Sequence, residues 1–137
     1  MKTFFDSSAF AKRYLEEPGS DAVETLCLAA TDLGVCAICV PEILSALNRR
    51  VRERRLSGSD YTLLKRHLLD DLRDAAIVDL TPTVIAGTID VLESAPLRAA
   101  DAMHVAAARA WNAEVFVSSD QRQLAAAQAA GLAIQAV

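Results

Sequence analysis

Short apolar runs alternate along the chain with longer stretches in which apolar residues recur every three or four positions. The first run, residues 2–5, is closed by Asp6; in the segment that follows, Ala9, Phe10 and Tyr14 share one helical face before Pro18-Gly19 interrupts it. From Ser20, the spacing of Val23, Leu26, Cys27 and Ala30 predicts a helix capped by Ser20 and stopped at Gly34. Residues 35–40 are continuously apolar, the pattern of a strand buried on both faces, and Pro41 is placed to open a long helix through about residue 56. Gly58 separates it from a helix over residues 60–74 striped by Leu63, Leu64, Leu68 and Leu72. Residues 76–80 predict a strand, 82–94 a helix opened by Pro82, and 99–111 an alanine-rich helix. A strand over 115–118, a helix capped by Asp120 and ended by Gly131, and a strand over 132–137 complete the pattern.

Strands alternating with helices of ten or more residues imply parallel pairing with right-handed crossovers. The expected fold class is therefore α/β: a three-layer α/β/α sandwich with a short, mainly parallel central sheet, formed as one domain over residues 1–137. Composition agrees, since 53% hydrophobic and 23% charged residues with only 5 Gly and 4 Pro describe a packed chain and exclude a disordered one. The longest uncharged stretch, residues 123–137, is broken by Gln123, Gln128 and Gln135 and is shorter than the roughly 18 apolar residues of a spanning helix, so no membrane partner is expected. Asp6 interrupts the apolar N-terminal run that a secretory signal needs, and Cys27, Cys36 and Cys39 suit reduced thiols, so a cytoplasmic location is expected.

The formal net charge of -4 argues against bulk electrostatic binding of nucleic acid. The basic residues are not spread evenly, however. Arg49, Arg50, Arg52, Arg54, Arg55, Lys65 and Arg66 fall on the predicted helical pair, and Arg49, Arg50 and Arg54 are candidates for nucleic-acid contact.

Ligands of an open parallel sheet bind beyond the carboxyl ends of the strands. Asp6, Glu42 and Asp120 follow predicted strands there, and Asp101 begins the alanine-rich helix. Asp101, Asp120 and Glu42 are each also placed to serve a helix N-terminus, whereas Asp6 ends a buried strand, where a charge is costly unless paired. Carboxylates gathered without matching cations repel one another, and a divalent ion held by oxygens relieves that, so Mg2+, with Mn2+ as substitute, is the expected cofactor. His67 and His104 are far apart and Cys36 and Cys39 lie in an apolar run, which leaves no zinc set. An acidic metal pocket beside a basic helical pair suits phosphodiester hydrolysis. Dinucleotide, P-loop and nucleophile-elbow motifs are absent.

Four segments in order, FFDSSAFAKRY with EEPGSD, EILSALNR, LRAADAMHVAAA, and VFVSSDQRQL with AAGL, give the chain its resemblance to PIN-domain ribonucleases, specifically the VapC-type toxins of type II toxin-antitoxin pairs. The resemblance implies that Asp6, Glu42, Asp101 and Asp120 are the catalytic, metal-binding quartet, with Ser7 and Ser118 as supporting hydroxyls. Ser8 is expected only to start the first helix and His104 only to pack it, while Arg98 either meets a phosphate or flanks its helix. The same resemblance implies an RNA substrate, a VapB-like antitoxin whose tail occupies the cleft, and a homodimer. Two other readings stand beside the toxin: a PIN-like nuclease in RNA maturation or DNA processing, and a non-catalytic acidic Mg2+-binding or receiver-like module. A receiver needs paired acids after the first strand and a late lysine, and the chain has Asp6 alone and no lysine after Lys65.

Overall fold

The computed structural model describes residues 1–137. Five parallel strands, β1 (Lys2–Phe5), β2 (Asp32–Cys36), β3 (Ala76–Val78), β4 (Val115–Ser118) and β5 (Ala133–Ala136), form one sheet in the order β3-β2-β1-β4-β5. Seven helices connect them: α1 (Ser7–Phe10), α2 (Ser20–Ala29), α3 (Cys39–Arg52), α4 (Gly58–Asp71), α5 (Pro82–Ser94), α6 (Ala99–Ala110) and α7 (Gln121–Ala129). No helix is long and apolar enough to cross a membrane.

The strand alternation divides the interior into two cores. Phe4, Gly34 and Phe116 stand in register across β1, β2 and β4. Phe4 and Phe116, with Cys36, pack under α5, α6 and α7 against Val84, Val91, Val105 and Leu124. The neighbouring register of Phe5, Val35 and Val117 faces Phe10, Val23, Ile43, Leu47 and Leu68 from α1 to α4. Two buried faces on one sheet make the three layers expected from the sequence.

The boundaries differ from the sequence pattern in physically instructive ways. The second strand covers Asp32–Cys36 and not 35–40; Gly34, read as a helix stop, is a central strand residue paired with Phe4 and Ala76. The ring of Trp111 lies over it, so that a Cβ at Gly34 would come within 2.7 Å of Trp111 Cζ3. The second half of the apolar run belongs to α3, where Cys39, Ile43 and Leu47 are buried at helical spacing, and Pro41 is the third residue of that helix. The helix expected after Asp6 is one turn, α1, continued by a 3-10 turn over Ala11–Arg13. Gly19, at φ 97°, caps α2 in place of Ser20, whose hydroxyl accepts from Glu17 N–H and donates to Leu15 C=O. Ser57 caps α4, which begins at Gly58.

The chain builds outward from β1 through β2 to β3, then returns to lay β4 and β5 on the other side of β1. The strand order therefore reverses between β1 and β4, the place beyond whose carboxyl ends open α/β sheets bind their ligands. Asp6 follows β1 at that switch point, its backbone N–H donating to Val117 C=O at 3.1 Å. A flavodoxin-like sheet, the receiver architecture, would have run 2-1-3-4-5 instead.

Candidate active site

Asp6 is fully buried and caps α1. Its Oδ1 accepts from Ala9 N–H at 2.9 Å, the Ser8 hydroxyl is shared between both oxygens at 2.8 Å, and the Ser118 hydroxyl donates to Oδ2 at 2.6 Å. Burial pushes the Asp6 carboxyl above its ordinary pKa, and the hydrogen bonds from Ser118, Ala9 and Ser8 pull in the opposite direction. Ser8 is therefore more than the start of a helix: besides Asp6, it accepts from Ser119 N–H at 3.3 Å, joining β1 to the loop after β4.

Glu42 lies in the first turn of α3, six residues beyond the end of β2 and not immediately after it. Its Oε1 accepts from the Ser7 hydroxyl at 2.8 Å and stands 2.6 Å from His104 Nε2. An ionised carboxylate only accepts, so this contact requires the proton on Nε2. Burial alone would raise the Glu42 pKa, but the hydrogen bond and charge of His104, with the Ser7 hydroxyl, hold it below the ordinary range. His104, expected only to pack its helix, is indeed 1% exposed, yet it also fixes Glu42 across 62 residues of chain. Its spacing of three from Asp101 put it on the right helix face, but nothing in the sequence paired it with α3.

Asp120 caps α7, with Oδ1 accepting from Arg122 N–H at 2.8 Å and Gln123 N–H at 3.4 Å. Asp101 opens the first turn of α6 and accepts from Gln123 Nε2 at 3.0 Å. Burial, then the charges of Asp120 and Glu42, raise the Asp101 pKa. Asp101 and Asp120 line a polar groove of about 750 Å³ together with Arg98 and Arg122. Arg122 was not singled out from the sequence, although its place two residues after a helix cap puts it at the mouth of this groove.

Arg49, Arg50 and Arg54 lie elsewhere. They are at the far end of α3 and just beyond it, and seven or more residues at about 1.5 Å each separate them from Glu42 by ~10 Å or more along the helix.

All four acids thus stand at one end of the sheet on separate elements. No three His, Cys, Asp or Glu side chains are yet arranged to hold a single metal ion, and both Asp6 oxygens are engaged by serine hydroxyls. The donor chemistry nonetheless fits a hard cation, because the groups are carboxylates, the charges of Asp120 and Glu42 add to burial in raising the Asp101 pKa, and Cys39, pushed up to about 12 chiefly by burial, offers no thiolate.

A model of the PIN domain matches residues 3–129. The chain belongs to the PIN domain family. Ribonuclease VapC45 from Mycobacterium tuberculosis (strain CDC 1551 / Oshkosh) is 32% identical over 133 residues, covering 93% of this chain and 90% of that protein. The crystal structure of M. tuberculosis VapC20, described as a sarcin-ricin loop cleaving toxin, superposes with a TM-score of 0.71 at 16% identity, covering 95% of each chain. A toxin-antitoxin complex from Klebsiella pneumoniae gives 0.68 at 11% identity, with 90% of each chain covered. PIN membership, with the strand order, removes the receiver-like reading. It also gives the quartet a setting, since Asp6, Glu42, Asp101 and Asp120 all fall within the matched residues.

Proposed function

We propose that this PIN domain is a Mg2+- or Mn2+-dependent endoribonuclease, the toxin of a toxin-antitoxin pair, with Asp6, Glu42, Asp101 and Asp120 as its metal-binding and catalytic carboxylates. The observation that carries the reading is the burial of Asp6 at the switch point between β1 and β4, with three further carboxylates at the same end of the sheet. The 32% identity to a ribonuclease over nearly the whole chain supports the reaction class.

When bound, the cation would supply charge neutralisation of the phosphate, a water of lowered pKa and a hold on the leaving oxygen. The protein's own part is positional. Ser8, Ser118 and Ala9 N–H fix Asp6, Ser7 and His104 fix Glu42, and the polar groove admits the backbone between Arg98 and Arg122. Arg49, Arg50 and Arg54 would hold a more distant part of a structured RNA, which suits a substrate larger than a dinucleotide.

Three further proposals follow from the family. A VapB-like antitoxin is the partner, a reading supported by the Klebsiella complex. A second copy of the chain covers the exposed Ile85, Ile89 and Leu92 of α5, which form an apolar stripe at spacings of four and three residues. The site of action is the cytoplasm, where RNA and antitoxin meet.

The test is cleavage of a mixed structured-RNA pool by purified protein freed of antitoxin, in Mg2+ or Mn2+, against EDTA and the Asp6→Asn variant. Cutting that needs the cation and vanishes in the variant is the expected result; cutting that survives EDTA, or no cutting by folded protein, would overturn it. Cleavage of DNA in preference to RNA would favour the processing-nuclease reading.

A further inference from the structure

Asp120 and Gln123 stand at the N-cap and third position of α7, the spacing at which a glutamine usually turns back to the N-cap backbone N–H. Here that N–H is already taken, donating to Ser118 Oγ at 2.9 Å. Gln123 extends away from its own helix instead and donates from Nε2 to Asp101 Oδ1 on α6 at 3.0 Å. Its side chain is held in the interior, the residue being only 4% exposed.

The cost of this arrangement is visible at its other atom. Gln123 Oε1 has no hydrogen-bond partner, and the only other buried side-chain atom in that state is Nδ1 of His104. Both residues therefore commit one polar atom to a carboxylate of the site and leave the other unpaired. A buried acceptor without a partner destabilises the fold, and a leucine or methionine of similar volume would fill the space without that penalty. A local rule broken twice, both times beside the same four acids, is the signature of groups kept for the site and not for the core.

We propose that Gln123 is a positioning residue: its amide draws Asp101 toward α7, so that Asp101 and Asp120 present their carboxylates to one oxygen-coordinated divalent cation. The inference deepens the metal-dependent reading above and rests on it. Asp101 and Asp120 come from different helices and share the wall of one groove, and Gln123 is the hydrogen-bonded link between α7 and Asp101. Without that link Asp101 would have to be ordered at the moment of binding, so the loss falls on cation affinity and not on the reacting step.

Calorimetric titration of the full chain with Mg2+ and with Mn2+ tests this, paired with thermal melts in EDTA and with cleavage measured across cation concentration. Gln123→Met should melt at or above wild type in EDTA, while its cation midpoint rises about tenfold and its cleavage recovers at high cation. Gln123→Leu, which also removes the unpaired oxygen, guards against a packing fault peculiar to methionine. Wild-type midpoints in both variants, or a lowered melting temperature with an unchanged midpoint, would overturn the proposal and return Gln123 to the core. A wild-type chain that takes up neither cation would overturn the metal reading and this inference together, a result read from the wild type before any variant is compared.

Discussion

The hydroxyl of Ser118 donates to Asp6 Oδ2 at 2.6 Å, joining the carboxyl ends of β4 and β1 across 112 residues of chain. The same hydroxyl accepts from Asp120 N–H, so one serine ties two of the four acids together. Both Ser118 and Asp6 are shut from solvent. Ser118→Ala should therefore cost about 1–3 kcal/mol, because it removes a charge-assisted bond and leaves Asp120 N–H without its acceptor. Urea unfolding with an unchanged slope would measure the loss, and a cost near zero would mean that Ser8 and Ala9 alone suffice for Asp6.

Asp101 faces the charges of Asp120 and Glu42. Asp101→Asn keeps an oxygen for Gln123 while removing that repulsion, so the variant should melt on the order of 2 °C above wild type in EDTA. Added Mg2+ should raise the melting temperature of the wild type and leave the variant where it was. Equal responses to Mg2+ in the two proteins would show that Asp101 does not bind the cation.

Gly34 lies under the Trp111 ring in the middle of the sheet. The clash is with a half-buried ring packed against the core and not with the end of a flexible chain, so Gly34→Ala should destabilise by about 1–3 kcal/mol. A denaturant midpoint equal to that of the wild type would show that Trp111 moves aside freely.

Arg98 and Arg122 border the groove with Asp101 and Asp120, whereas Arg49, Arg50 and Arg54 lie at the other end of α3. Charge reversal of the groove pair should weaken cleavage of short and long RNA alike, each substitution lowering the salt dependence of binding by about one unit of slope. Reversal of the α3 set should affect only RNA long enough to reach it. An identical dependence on RNA length for the two sets would remove the distinction between them.

Cys27 has its thiol pushed up to about 11, chiefly by burial, with Glu24 adding to the rise and Arg13 opposing it. At pH 8 its thiolate fraction should be roughly a hundredfold below that of an ordinary cysteine, and its alkylation correspondingly slow. An acid whose pKa rises on folding keeps its contribution to stability below the unfolded value and loses it as pH climbs toward the folded one, so the protein should weaken between about pH 9 and pH 11. Peptide mapping after iodoacetamide treatment across that range, with melts alongside, checks both statements; rapid alkylation at pH 8 would contradict the first.

Local pattern was enough to reveal the alternation of strands and helices, the parallel three-layer class, and the placement of Asp6 and Asp120 directly after strands. Each of these depends on periodicity or on neighbours within a few residues, which is information a linear chain carries openly. The apolar run at residues 35–40 shows where that ends: its first two residues finish β2 and its last two start α3, and a short buried run reads alike in either state until a helix or strand claims it. Gly34 is a strand residue through its pairing with Phe4 and Ala76, and the Trp111 ring over it leaves no room for a side chain, neither of which the local sequence shows. The partners that complete the site, Ser8 and Ser118 on Asp6, His104 on Glu42 and Gln123 on Asp101, mostly join residues 22 to 112 positions apart. Sequence spacing carries no record of such pairs, because they exist only once the sheet order has set β1 beside β4 and brought the first turns of α3, α6 and α7 to the same end of the sheet.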